Sequence, residues 1–227
     1  MAAYDLEEQE QLDELKTWWK MYGNLVTTAV TIAALAVLAW QGWNWWQRKQ
    51  SGEASALYVA VQESAAKGDA KRSREIAGEL IDKFSGTAYA GMAALLSAKA
   101  QTEGGDMKTA QVQLTWAADN AKDDGIRDLA RLRLAGVLLD QKAYDEALKQ
   151  LAAEPAAQLV PRFNEMKGDI LAAQGKTAEA ITAYEAALAK LDAAIKEGGE
   201  EGGAAAAAHG VYQEVLQTKR DSLGGNK

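Results

Sequence analysis

Side chains able to do chemistry are few in this 227-residue chain. There is one histidine, His209, and no cysteine, so neither a His-based metal site nor a thiolate nucleophile can be assembled from it. His209 follows a run of alanines and reads as a solvated loop residue. Carboxylates are plentiful, but Glu7-Glu8-Glu10 and Asp123-Asp124 read as solvated faces and turns, with no phosphate loop or nucleophile motif beside them. The expectation is therefore no catalytic residue, no cofactor-binding residue, no metal ligand and no enzyme. The chemistry that stands out is partition between water and lipid. Six of the seven tryptophans, Trp18, Trp19, Trp40, Trp43, Trp45 and Trp46, bracket a stretch at residues 21–47 that carries no charge. Indole rings with one polar edge collect at bilayer interfaces.

The element that must hold those rings is a membrane-spanning helix. From Leu25 to Trp46 a helix runs roughly 33 Å, against a hydrocarbon core of about 30 Å. A cleaved signal peptide would open with a basic segment and end on small side chains. Here six carboxylates against two lysines precede the span, and Trp43, Trp45 and Trp46 crowd its far end. The reading is an uncleaved anchor in the lipid bilayer. Lys16 and Lys20 on one side balance Arg48 and Lys49 on the other, so the positive-inside rule leaves the orientation open. The net charge of −7, most of it in the head, excludes a nucleic-acid surface.

The body after the anchor contains only Pro155 and Pro161, is rich in Ala, Leu, Lys, Glu and Gln, and shows no sustained alternation. It reads as helices of about 10 to 18 residues, broken at Lys67-Gly68-Asp69, Ser85-Gly86-Thr87, Gly104-Gly105, Asp123-Asp124-Gly125, Gln141-Lys142 and Gln174-Gly175-Lys176. Residues 163–188 place Gly168, Leu171, Gly175, Ala180, Tyr184, Ala187 and Leu188 at the offsets of a tetratricopeptide repeat. Leu138, Tyr144, Ala147 and Leu151 repeat the pattern upstream, and Gly105, Ala110, Leu114 and Ala117 repeat it more loosely. Ala110, Ala147 and Ala180 are 37 and 33 residues apart, around the expected period of about 34. The fold expected is all-α, a single transmembrane helix followed by a tetratricopeptide-like solenoid of helical hairpins. The first pair, residues 53–67 and 71–84, lacks the signature and reads as a divergent cap.

The domains expected are an acidic helical head at 1–22, the anchor at 23–47, the repeats at 48–196, a low-complexity loop at 197–208, a capping helix at 209–223 with Val211, Val215 and Leu216 on one face, and a disordered tail at 224–227. In a solenoid the first helix of each pair lines the inner surface, which commonly takes an extended peptide or a partner helix. The inward candidates for partner binding are Met92, Leu95, Lys99, Leu129, Leu132, Arg162, Glu165 and Asp169. The plain alternative is that the Met and Leu members are core.

The head at residues 4–16 (YDLEEQEQLDELK), then Trp18-Trp19-Lys20 and Tyr22-Gly23-Asn24 entering the span, resembles the YfgM family of bacterial inner-membrane proteins, ancillary subunits of the SecYEG translocon. The resemblance runs the whole chain in order: head, anchor, repeats with Gly168-Asp169 and Gln174-Gly175-Lys176, and terminal helix. It implies a cytoplasmic N-terminus and a periplasmic body. Its implied partners are Sec translocon subunits, a membrane-anchored periplasmic prolyl-isomerase-like chaperone and newly exported polypeptides, toward which the body acts as a chaperone-like adaptor. A non-chaperone scaffold at the inner membrane and a tethered regulator acting through the acidic head are the competing readings.

Overall fold

The computed structural model describes residues 6–197 and 203–224; the expected termini at 1–5 and 225–227 and the loop residues 198–202 lie outside the described residues. The elements are α1 (Leu6–Ala66), α2 (Ala70–Phe84), α3 (Ala88–Glu103), α4 (Met107–Asn120), α5 (Asp124–Asp140), α6 (Tyr144–Gln150), a 3₁₀ turn (Ala157–Leu159), α7 (Val160–Ala173), α8 (Thr177–Glu197) and α9 (Gly203–Ser222). No strand occurs among the described residues, so the all-α class holds. The chain divides into two units, Met1–Gln50 and Ser51–Lys227.

The first unit is the leading part of α1. Leu25, Val30, Ile32, Leu35, Val37 and Leu38 are each more than half exposed, which a core helix of a soluble body would not tolerate. Among the described residues, this one helix is long and apolar enough to cross a membrane. Its threonines are satisfied within it: Thr27, Thr28 and Thr31 each donate to a carbonyl four residues back at 2.7 Å. Aromatic rings cluster at both ends. Trp18 lies against Trp19 and Tyr22 at 6.2 and 5.9 Å between centroids, and Trp43 against Trp46 at 5.4 Å. Lys49 reaches over the Trp45 ring at 5.9 Å.

The second unit is built on one corner used four times. Gly68, Gly105, Lys142 and Gly175 have φ of 72°, 81°, 59° and 74°, the left-handed conformation that reverses a helix into its partner. After each, the next residue's N–H donates five residues back: Asp69 to Ser64, Asp106 to Gln101, Ala143 to Leu138 and Lys176 to Leu171, at 2.8 to 2.9 Å. Five residues past each corner stands a fully buried small side chain, Ser73, Ala110, Ala147 or Ala180. Nine past it stands a second buried residue, Ala77, Leu114, Leu151 or Tyr184, and seven before it a buried crossing residue, Val61, Ala98, Ala135 or Gly168. These positions mark four hairpins: the end of α1 with α2, then α3/α4, α5/α6 and α7/α8.

Four expectations are corrected. The first pair is not without the signature; it carries the same corner at Gly68, hidden because Ser73 replaces the usual alanine. The helix lengths range more widely, from seven residues in α6 to 21 in α8. Helix α6 ends at Gln150, and Pro155 bars helical geometry from resuming at Glu154. The loop that follows is instead pinned by buried Asp128, which accepts from the Ala156 N–H at 2.9 Å. Residues 203–208, assigned to the loop, instead begin α9, as the high helix propensity of alanine allows, and His209 lies in that helix, as the 209–223 boundary has it and not as a loop residue. Finally, Val211 and Val215 are exposed, and the packed face of α9 is Tyr212, Leu216 and, beyond the helix end, Leu223, set against Ala180, Tyr184, Ala187, Leu188 and Leu191.

Candidate partner-binding cleft

Successive hairpins place their first helices side by side. Arg133 of α5 donates to the Leu95 carbonyl of α3 at 3.3 Å, fixing these two in register. One turn further along, they part over a cleft of about 410 Å³. Its floor is Ala98, Leu114 and Val137, all nearly inaccessible, with Gly136 beside them. Its rim is Lys99, Thr102 and Glu103 from α3 and Arg133 and Asp140 from α5. The space exists because the side chains there are small. In the last hairpin, Asp169 and Tyr184 stand where the α3/α4 hairpin has Lys99 and Leu114, and the region beside them is filled.

Filling is done by a polar cluster at the α7–α9 seam. Lys219 Nζ lies 2.8 Å from both Glu165 Oε1 and Asp169 Oδ2. Tyr212 OH donates to Glu165 Oε2 at 2.8 Å, and Tyr184 OH donates to Asp169 Oδ1 at 2.7 Å. The Arg162 guanidinium stands 4.5 Å from the centroid of the Tyr212 ring. Burial and donation to a carboxylate push both phenols well above the ordinary tyrosine range. For Lys219, burial works against the charge, but the hydrogen bonds to Asp169 and Glu165 outweigh it and hold the ammonium pKa above its usual value. The cluster is a clamp on the terminal helix, with every member engaged.

Of the eight inward candidates, only Lys99 lines the cleft. Leu95 is a core residue at 6 % exposure, Leu129 and Leu132 pack on the same core, Met92 is part-buried, and Arg162, Glu165 and Asp169 belong to the seam. Sequence reasoning missed Ala98 and Arg133, beside the candidates Lys99 and Leu132, and also Thr102, Glu103, Gly136, Val137 and Asp140, which follow the candidates by about one helical turn. A signal was present for the latter group: they stand one to five residues past the crossing residues Ala98 and Ala135. Among the described residues no group of three or more histidines and carboxylates is placed to hold a metal ion.

Repeated left-handed corners, small crossing residues and an exposed apolar leading helix define a tetratricopeptide-like protein with an N-terminal helix fit to span a membrane. The family model described as a tetratricopeptide repeat-like domain matches residues 16–225. A protein of Neisseria gonorrhoeae is 34 % identical over 226 residues, covering 98 % of this chain and 100 % of the relative. Proteins of Haemophilus influenzae and Aggregatibacter actinomycetemcomitans are 29 % and 30 % identical, each over 82 % of this chain and 90 % of the relative. All three relatives are named ancillary SecYEG translocon subunit. The chain belongs to the YfgM family.

Proposed function

We propose that this protein is a membrane-anchored, non-catalytic adaptor of the Sec translocon. In this reading α1 crosses the inner membrane with the N-terminus cytoplasmic, and the hairpins lie in the periplasm. There they bind newly exported polypeptides and a membrane-anchored prolyl-isomerase-like chaperone. The observation that carries the proposal is the likeness, from the acidic head through the terminal helix, to relatives named as translocon subunits. The exposed apolar face of α1 and the open α3–α5 cleft give that likeness a physical basis: one fits lipid, the other an incoming chain. Anchoring raises the local concentration of the hairpins for chains emerging nearby, so the cleft can bind weakly and still be occupied.

Photo-crosslinking in cells tests it. A crosslinker at positions 25–46 is expected to trap translocon subunits, and one at Thr102 to trap exported chains. A correctly inserted protein that yields neither would overturn the reading.

A further inference from the structure

Resting on the adaptor reading, we infer that the α3–α5 cleft selects polypeptide by a short signature: an aliphatic side chain followed, within about a helical turn, by a lysine or arginine. The floor sets the first half. Ala98, Leu114 and Val137 offer only carbon, in a space within the range of about 300–1,000 Å³ typical of ligand clefts.

The rim sets the second half. In both helices a cation precedes an anion, Lys99 before Glu103 and Arg133 before Asp140. Glu103 and Asp140 are the last residues of α3 and α5, and neither helix has a basic residue in its last turn. Two carboxylates therefore add to the negative ends of two helix dipoles, an arrangement that is unfavourable for the helices themselves and favourable for a cation from outside. Asp140 has no ion-pair partner among the described residues. Glu103 meets Lys99 at 3.7 Å across a pair more than half exposed, which solvent screens and an incoming cation readily exchanges. Lys99 orients Lys before Glu along the helix, the weaker order.

The chain carries its own precedent. On α9, Leu216 is fully buried in the last hairpin's core, and three residues later Lys219 sits between two carboxylates of α7. An aliphatic residue with a lysine one turn on is thus what the last hairpin already binds in cis.

The test uses the full chain in lipid nanodiscs and three labelled peptides identical except for Leu-Ala-Ala-Lys, Leu-Ala-Ala-Glu or Ser-Ala-Ala-Lys at the centre. Fluorescence anisotropy is expected to show the first bound about tenfold more tightly than either of the others. Gly136→Leu fills the cleft and should abolish that preference together with the binding. A Cβ at this position meets only Met166 Cε at 3.6 Å, and losing a helix-interior glycine favours the helix. Should Gly136→Leu fail to fold, the surface pair Glu103→Lys/Asp140→Lys decides alone, by reversing the preference toward Leu-Ala-Ala-Glu. Equal binding of the Lys and Glu peptides, binding indifferent to these substitutions, or a Gly136-dependent self-association in place of peptide binding overturns the inference. In those cases crosslinks to translocon subunits and exported chains persist if the adaptor reading stands, and vanish if that reading is what failed.

Discussion

Lys142 holds a backbone conformation that L side chains resist, with φ of 59° where the other three corners have glycine. A left-handed residue with a Cβ costs roughly 1–2 kcal/mol, part of which glycine gives back through its freer unfolded chain. Lys142→Gly is therefore expected to stabilise the protein by about 0.5–1 kcal/mol, read as a higher denaturant midpoint with unchanged slope. Gly168 makes the opposite case. A Cβ there would fall 2.5 Å from Tyr184 Cε1, and the ring is held by its bond to Asp169 and cannot swing away. Gly168→Ala should cost about 1–3 kcal/mol, and Tyr184→Leu in the same chain should recover much of it. Leucine already fills that position in two other hairpins, at Leu114 and Leu151, against an alanine at the crossing.

Helix α9 is attached through an apolar face centred on Leu216 and through one charged cluster, so its docking should respond to alkali. Lys219, Tyr184 and Tyr212 all bind their protons more tightly in the folded chain. Their contribution is complete below the unfolded values, about 10 for tyrosine and 10.4 for lysine, and is lost as pH rises toward the raised folded values. The midpoint of unfolding should fall steeply above pH ~10, and Lys219→Met should flatten part of that fall. At neutral pH the same substitution should cost about 1 kcal/mol, since the ammonium is one-third exposed and partly screened. What was legible in the sequence followed the same logic of element and face. Gly105, Gly175 and the small residues at Ala110, Ala147 and Ala180 announce their hairpins because glycine and alanine are the usual occupants. Lys142 and Ser73 do the same work with unusual residues, so the break at Lys142 reads as a turn without its corner geometry, and the first hairpin reads as a cap. The packed face of α9 was misread by one residue because a poly-alanine lead-in carries no phase. The cleft was missed because it is defined by what Gly136 and Ala98 leave empty, and its one trace in the sequence is spacing from the small crossing residues, not a residue type.

For the whole molecule, the decisive measurement is the side of the membrane on which Ser51–Lys227 lies. Protease added to spheroplasts should digest this unit while leaving a fragment that contains the tryptophan-bracketed span. Protection of the unit until the membrane is lysed would favour a tethered regulator on the inner side. The span should also be sensitive to its polar content. Leu35→Arg at its middle is expected to cost roughly 2.5–3.5 kcal/mol of insertion and to shift the protein toward the soluble fraction, whereas Leu35→Val should leave it inserted.

The four left-handed corners also bear on inheritance. They are spaced 37, 37 and 33 residues apart, yet positions from seven before each corner to nine after it match in all four hairpins. The four-residue shortfall therefore lies between residues 152 and 167, on the edge away from the corners. One edge of the stack tolerates no change of length, and the other absorbs it. Chains descended from a common ancestor should accordingly differ by insertion and deletion near residues 85–87, 121–123 and 152–156, and insertion scanning should find those joints permissive and the corners lethal to folding.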